Sequence, residues 1–193
     1  MLKDLILRNR SYRRFYEELP VTVDQLKEFI DMARLSASAR NAQSLKYIIS
    51  NDPAINRLIF PTLAWAGYLK DWPGPAEGER PSAYIIMLND TTISTNYYCD
   101  DGIAAQSILL CATEKGFGGC IIASVNRDEL ARQLNIPDTY KIIQVLALGK
   151  SKEKVVIEEV GEDGDIRYWR DEDQVHHVPK RALREIIVRI EAK

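Results

Sequence analysis

Apolar residues recur along this chain with two periods, and the places where the period changes mark its elements. Leu2, Leu5 and Ile6 share one face of a short helix over 2–8. Thr22-Val23-Asp24-Gln25 has the form of a capping box, and Leu26, Phe29, Ile30 and Ala33 follow at helical spacing. A short strand is predicted over 46–50, around Tyr47, Ile48 and Ile49. Asp52-Pro53 then opens a helix carrying Ile55, Leu58 and Ile59. The Pro/Gly-rich run 71–81 cannot be regular structure and is predicted as a long loop, of the kind often used for function.

Residues 83–88 predict a buried strand. The nearly continuous apolar run 103–115, ended by Gly116, predicts a helix covered on most sides, at the domain centre or at an oligomer interface. Gly118-Gly119 leads into a strand over 120–123, and Asn126-Arg127-Asp128-Glu129 reads as a second capping box for a helix through Leu134. A buried strand over 142–148 ends at Gly149. Residues 155–160 and 166–169, on either side of Gly161-Glu162-Asp163-Gly164, predict a hairpin. After Pro179, Leu183, Ile186, Ile187 and Ile190 predict a last amphipathic helix. Helices around a mixed sheet make an α+β domain.

Composition narrows the class. At 193 residues, 46% hydrophobic and 28% charged, the chain fits one soluble domain over 1–193, with a C-terminal extension from about residue 170. A net charge of -2 argues against nucleic acid as a partner. Lys3, Asp4 and Arg8 interrupt any leader-like apolar stretch, and no run reaches the roughly eighteen apolar residues of a membrane helix, so a cytoplasmic protein with no membrane partner is expected. Cys99, Cys111 and Cys120 show no CxxC spacing and read as reduced, mostly buried thiols rather than a disulfide frame or metal ligands.

The chemical inventory is short. There is no GxGxxG after a strand, no GxxxxGK[ST], no GxSxG and no HExxH. His176 and His177 are adjacent, so strand geometry turns them to opposite faces, and an exposed or capping pair is expected. Asp100 and Asp101 precede the central helix, where N-capping and the helix dipole account for them; acid/base work is the alternative. No side chain stands out as catalytic, which points to a borrowed cofactor. Three segments offer to hold one. Arg8-Asn9-Arg10-Ser11-Tyr12-Arg13-Arg14-Phe15 packs four guanidiniums into seven residues, a donor set suited to phosphate or carboxylate. Small and polar residues from Ser36 to Gln43 allow a flat ligand close to the backbone. Val178-Pro179-Lys180-Arg181 adds two cations.

In this order the segments resemble the FMN-dependent nitroreductase family. Asn9-Arg10-Ser11-Tyr12-Arg13 is similar to its opening Arg-Arg-Ser-x-Arg-like motif, and Ala37-Ser38-Ala39-Arg40-Asn41-Ala42-Gln43-Ser44 to its Pro-Ser-x-x-Asn-x-Gln-Pro-like segment. The stretch from Asp101 to Gln106, then 109–112 and 115–120, looks like the family's central helix and following strand, and Val178-Pro179-Lys180-Arg181 like its basic ending. Asn9, Ala37, Ser44 and Leu45 depart from the family's usual residues, and no counterpart stands out for the Asn that many members place on the flavin pyrimidine.

The resemblance implies a mainly antiparallel sheet flanked by helices and a homodimer with FMN at the subunit interface. It implies that Arg10, Ser11 and Arg13 bind the cofactor, with Lys180 and Arg181 completing a phosphate clamp. Ser38, Ala39, Asn41 and Gln43 would reach FMN held by the other subunit, and Gly119, Ile122, Ala123 and Ser124 would lay backbone against the ring. The chemistry would run at flavin N5 with no catalytic side chain and no metal. NADH or NADPH would be the reductant, and a nitroaromatic, quinone or similar small molecule the acceptor, in a ping-pong sequence. Trp65, Tyr68 and Trp72 are candidates for the substrate side, with ordinary packing the competing role. Reductive dehalogenation, flavin destruction, and non-catalytic storage or sensing of FMN are the alternatives on the same scaffold.

Overall fold

The structure, a computed structural model, describes residues 1–192. The chain forms two compact units, one of residues 1–65 and 73–152, the other of residues 66–72 together with the chain from Glu153 onward.

The first unit is built on an antiparallel sheet of β1 (Phe15–Tyr16), β2 (Leu45–Ser50), β3 (Ala83–Asp90), β4 (Gly118–Ile122) and β5 (Tyr140–Ser151). The strand order is β1-β5-β3-β2, with β4 also paired to β5. Alternation along the strands sends the side chains of Ala83, Ile85, Met87, Leu146 and Leu148 to one core and those of Tyr84, Ile86, Leu88, Val145 and Ala147 to another. The first core is closed by Leu26, Phe29 and Ala33 of α2 (Val23–Leu35) and by Ala105, Ile108 and Ala112 of α4 (Asp100–Glu114). The second is closed by Ile59 of α3 (Pro53–Ile59) and Leu130 of α5 (Arg127–Gln133). With both faces covered, every residue of β3 is buried, which is why it reads as a continuous apolar run.

Local signals hold where they were strongest. Thr22 and Gln25 form the capping box of α2, and Asp52 caps α3 through Ala54 N–H at 2.7 Å. Helix α1 covers Leu2–Arg8, and no regular element falls in 71–81. The second capping box is half made: Asn126 Oδ1 accepts Glu129 N–H, while the Glu129 carboxylate is taken by Arg132 and Gln133. Helix α4 begins at Asp100, three residues earlier than predicted, and Gly116 beyond its end has φ +79°. Among the described residues, no helix is long and apolar enough to cross a membrane.

The second unit departs from the sequence pattern. Instead of a hairpin across Gly161–Gly164, β6 (Val155–Glu159) pairs in parallel with β8 (His176–Lys180), and β7 (Trp169–Arg170) lies antiparallel on the other side of β8. The last helix is one turn, α6 (Leu183–Ile186), rather than an amphipathic helix to Ile190. Leu183, Ile186, Ile187 and Ile190 are all exposed, so nothing in the chain repays the cost of nucleating a longer helix there. His176 is buried rather than exposed, in ring contact with Tyr168, and His177 sits between the carboxylates of Glu158 and Asp171 with its ring stacked on Trp169 at 4.0 Å. Of the three thiols, Cys111 and Cys120 are buried and Cys99 is exposed.

Candidate functional site

The basic opening segment is fastened to the edge of the main sheet. Past α1, Ser11 bridges Gly119 of β4, and Tyr12 N–H donates to Gly119 O at 3.0 Å. The Tyr12 ring covers Gly118 so closely that a Cβ there would lie 2.5 Å from it, and Phe15 covers Gly149 in the same way. The aromatic residues between the arginines are thus docking residues, and the glycines are the flat surface they need.

This docking sorts the four guanidiniums. Arg8 is exposed at the helix end. Arg14 is a partly buried structural residue: it grips Glu79 through Nε and an Nη at 2.6 and 2.7 Å, with Lys152 on the same carboxylate at 2.9 Å. The Arg14 hydrogen bonds, more than Lys152, hold the Glu79 carboxyl down at about 2. Arg13 donates to Ser11 O at 3.2 Å. Arg10 donates through one Nη to Ile6 O; its Nε is buried with no hydrogen-bond partner, and no carboxylate among the described residues pairs with it.

The second segment is shaped from a distance. Asp100 accepts from Ser38 Oγ at 2.7 Å and from Ala39 N–H at 2.8 Å, and Ser38 Oγ accepts Gln43 N–H at 3.0 Å. This contact replaces the expected N-cap, since the capping position is Cys99 and carries no side-chain cap. Within the loop so formed, Arg40, Asn41 and Gln43 all have φ between 52° and 56°, a left-handed conformation that non-glycine residues seldom adopt. Asn41 and Gln43 present exposed side chains; Ser38 and Ala39 are half-buried. Behind the loop a cavity of about 210 Å³ is bordered by Ser38, Gln43, Tyr47 and Asp100. Burial, reinforced by Asp100, pushes the Tyr47 phenol up to about 12.

The third segment is the end of β4. Ile122 is buried in the core, Ala123 and Ser124 are exposed, and Ser124 O accepts Ala64 N–H at 2.9 Å. Arg127 pins this end: its guanidinium donates to Ala123 O, Ile142 O and Ile143 O at 3.1, 3.0 and 2.8 Å. Ile143 is the bulged residue of β5, since Met87 pairs with Gln144 and Leu88 with Ile142. Sequence reasoning missed Arg127, although a cation in the first turn of a helix opposes the dipole and signals a partner elsewhere.

The opening segment docks at the start of β4, four residues short of Ala123, while the loop at 38–43 stands apart. Ser11, Gly119, Leu148 and Ala83 form one lateral row, whereas Ser44 O meets Asp90 N–H at the far end of β3. Four strand spacings across and some six residues along separate the two corners by on the order of 25 Å. Trp65 packs on Phe60 and against the second core. Lys180, Arg181, Tyr68 and Trp72 belong to the second unit: Lys180 and Arg181 are exposed, Tyr68 lies against Tyr168, and Trp72 lies under Arg170.

The fold is an α+β domain with a central antiparallel sheet, and its candidate site is a basic segment docked on the glycines that open β4. The Nitroreductase family model matches residues 79–150. YodC of Bacillus subtilis, assigned by name only to the NAD(P)H nitroreductases, is 20% identical over 185 residues, covering 77% of this chain and 88% of that protein. A nitroreductase family protein from Clostridium novyi superimposes with a TM-score of 0.64 at 24% identity, over 79% of this chain and 87% of its own. The NADPH:FMN oxidoreductase of Vibrio harveyi, solved in complex with NAD+, gives 0.65 at 20% identity, over 83% and 74%. The resemblance to the nitroreductase family is thus found in sequence and in fold alike.

Proposed function

We propose that this chain is an FMN-dependent oxidoreductase that passes reducing equivalents from NADH or NADPH to a small acceptor such as a nitroaromatic or quinone, in a ping-pong sequence. The observation that carries this function is Arg10: a guanidinium with a buried, unpartnered Nε and no carboxylate among the described residues, next to exposed Ser11 on the β4 edge. A cation and a hydroxyl on the β4 edge, with the exposed backbone of Ala123 and Ser124 just past the far end of that strand, make a donor set that fits a phosphate-bearing flavin.

Arg10, Ser11 and Arg13 would hold FMN, with residues 122–124 offering backbone. Bound FMN would supply the redox chemistry, which no side chain here carries. The arginines would orient it and offset negative charge, and the protein needs no proton-transfer residue of its own. Ser38, Ala39, Asn41 and Gln43 would come from a second copy of the chain. The distance between the two corners supports this, because one chain does not bring 10–13 and 38–43 to one small ligand. Exposed Leu2, Ile6 and Leu7 on α1 and Ile103 on α4 supply apolar surface for such a homodimer.

Absorbance of the purified protein tests the proposal directly. A flavin spectrum, or a rise in melting temperature with added FMN, is expected, followed by bleaching under NADH or NADPH in anaerobic stopped flow. A colourless protein indifferent to FMN ends the proposal.

A further inference from the structure

At the opposite end of the sheet from the 38–43 loop, a second cavity of about 160 Å³ opens where β2, β3 and α3 meet. Its wall is in part apolar, from Pro53, Phe60 and Pro81. Two of its lining residues carry a buried, unanswered polar atom: Arg80 at Nε and Ser82, itself only 9% exposed, at Oγ. The Arg80 guanidinium is held in place by the Phe60 ring, 4.4 Å from its centroid, while its backbone N–H donates to Glu17 at 3.2 Å. An orphaned donor costs about 1–3 kcal/mol, so a fixed pair of them around open space calls for an acceptor.

We propose that this cavity binds a small single-ring carboxylate, its carboxylate on Arg80 and Ser82 and its ring along Phe60 and Pro53. The volume sets the size, since a cavity of about 150 Å³ accommodates one benzene ring. The donors set the sign. Arg57 and Arg80 are matched by Glu17 and Glu77, so the wall is neutral as a whole, and the preference for a carboxylate rests on the unanswered Arg80 Nε–H and Ser82 O–H; Glu17 Oε2 is engaged by the N–H groups of Gly78 and Arg80, at 2.6 and 3.2 Å. Tyr84, 1% exposed and kept protonated by burial, adds an O–H to the same wall. The site is separate from the proposed flavin site: Ser11 lies about 14 Å away across three strand spacings, and the 38–43 loop lies about 17 Å along β2.

Calorimetry with sodium benzoate, on the protein as purified and again after saturation with FMN, tests this. One benzoate per chain should bind with a Kd of about 1 mM or below in both cases, and acetate should bind far more weakly. Arg80→Leu should weaken benzoate by about tenfold or more and Ser82→Ala by about threefold to tenfold, with melting curves showing both folded. Should Arg80→Leu not fold, Arg80→Lys, which keeps the charge and removes the Nε–H, should show the loss. The proposal is overturned by the absence of saturable heat up to about 10 mM benzoate, by unchanged affinity in these variants, by loss of the signal on adding FMN, or by a benzoate-soaked crystal with only water in the cavity.

Discussion

The Asp100 carboxylate receives both Ser38 Oγ and Ala39 N–H, at 2.7 and 2.8 Å, across 62 residues of sequence. One buried side chain at the start of the central helix therefore sets the shape of a loop it does not belong to. Asp100→Asn keeps one acceptor and turns the other into a donor facing donors. It should cost about 1–3 kcal/mol in urea unfolding and speed hydrogen exchange at Ala39 and Gln43 selectively. Exchange rates unchanged in that loop would show that its curve is held by something else.

The opening arginines should separate into two kinds. Arg10→Ala should lower FMN affinity by about tenfold or more in a fluorescence titration, with little effect on melting. Arg14→Ala should do the reverse, destabilising the fold through the loss of Glu79's partner while FMN affinity of the folded protein stays within about threefold. Equal effects of the two on affinity would remove the assignment of Arg10.

Glu79 gives the fold an acid-sensitive limb. Its carboxyl is lowered from 4.5 to about 2, so the stability it contributes is full above about 4.5 and disappears as pH falls toward 2. Urea midpoints measured across that window should fall steeply in the parent and more shallowly in Glu79→Gln. The same slope in both proteins would place the sensitivity elsewhere.

His177 acts in the opposite sense. Hydrogen bonds first to Asp171 and then to Glu158 raise it above 6.5, so its contribution is present below 6.5 and lost as pH rises through the folded value. NMR titration of the ring should give a midpoint above 6.5 that moves down in Asp171→Asn and, by less, in Glu158→Gln. A midpoint at or below 6.5 in the parent would show that the two carboxylates do not act on it.

Gly118 and Gly119 should respond differently to a methyl group. Gly118→Ala drives a Cβ into the Tyr12 ring, costing about 1–3 kcal/mol, and pairing it with Tyr12→Ala should recover part of that cost. At Gly119 the nearest atom is the Ala147 carbonyl oxygen, 2.5 Å away, and no side-chain change in Tyr12 should rescue Gly119→Ala. Melting temperatures of the four variants decide it.

Legibility in the sequence tracked how local each cause was. Thr22-Gln25 and Asp52-Pro53 announce their helices within four residues, and β3 announces itself by being apolar on both faces. The apolar run 155–160 announces a strand but not its partner, and β8, twenty residues on, outcompeted the nearer segment. At Leu183–Ile190 helical spacing is present, but the chain gives it no surface to pack on. The site followed the same rule. The arginines, the small polar loop and the glycines were visible as residue types. Arg14 on Glu79, Asp100 on Ser38 and Arg127 on the β5 bulge were not, because each joins positions that only folding brings together.

The left-handed turn at Arg40, Asn41 and Gln43 is made without a single glycine. Its curvature is set chiefly by a carboxylate outside the loop, and from within it Gln43 adds one hydrogen bond, from Nε2 to Asn41 O at 3.3 Å. The exposed side chains can differ in charge and reach, within what a positive φ tolerates, while the scaffold beneath them stays the same. A loop built this way can acquire a new specificity by point substitution, with no insertion, no deletion and no rebuilding of the sheet behind it.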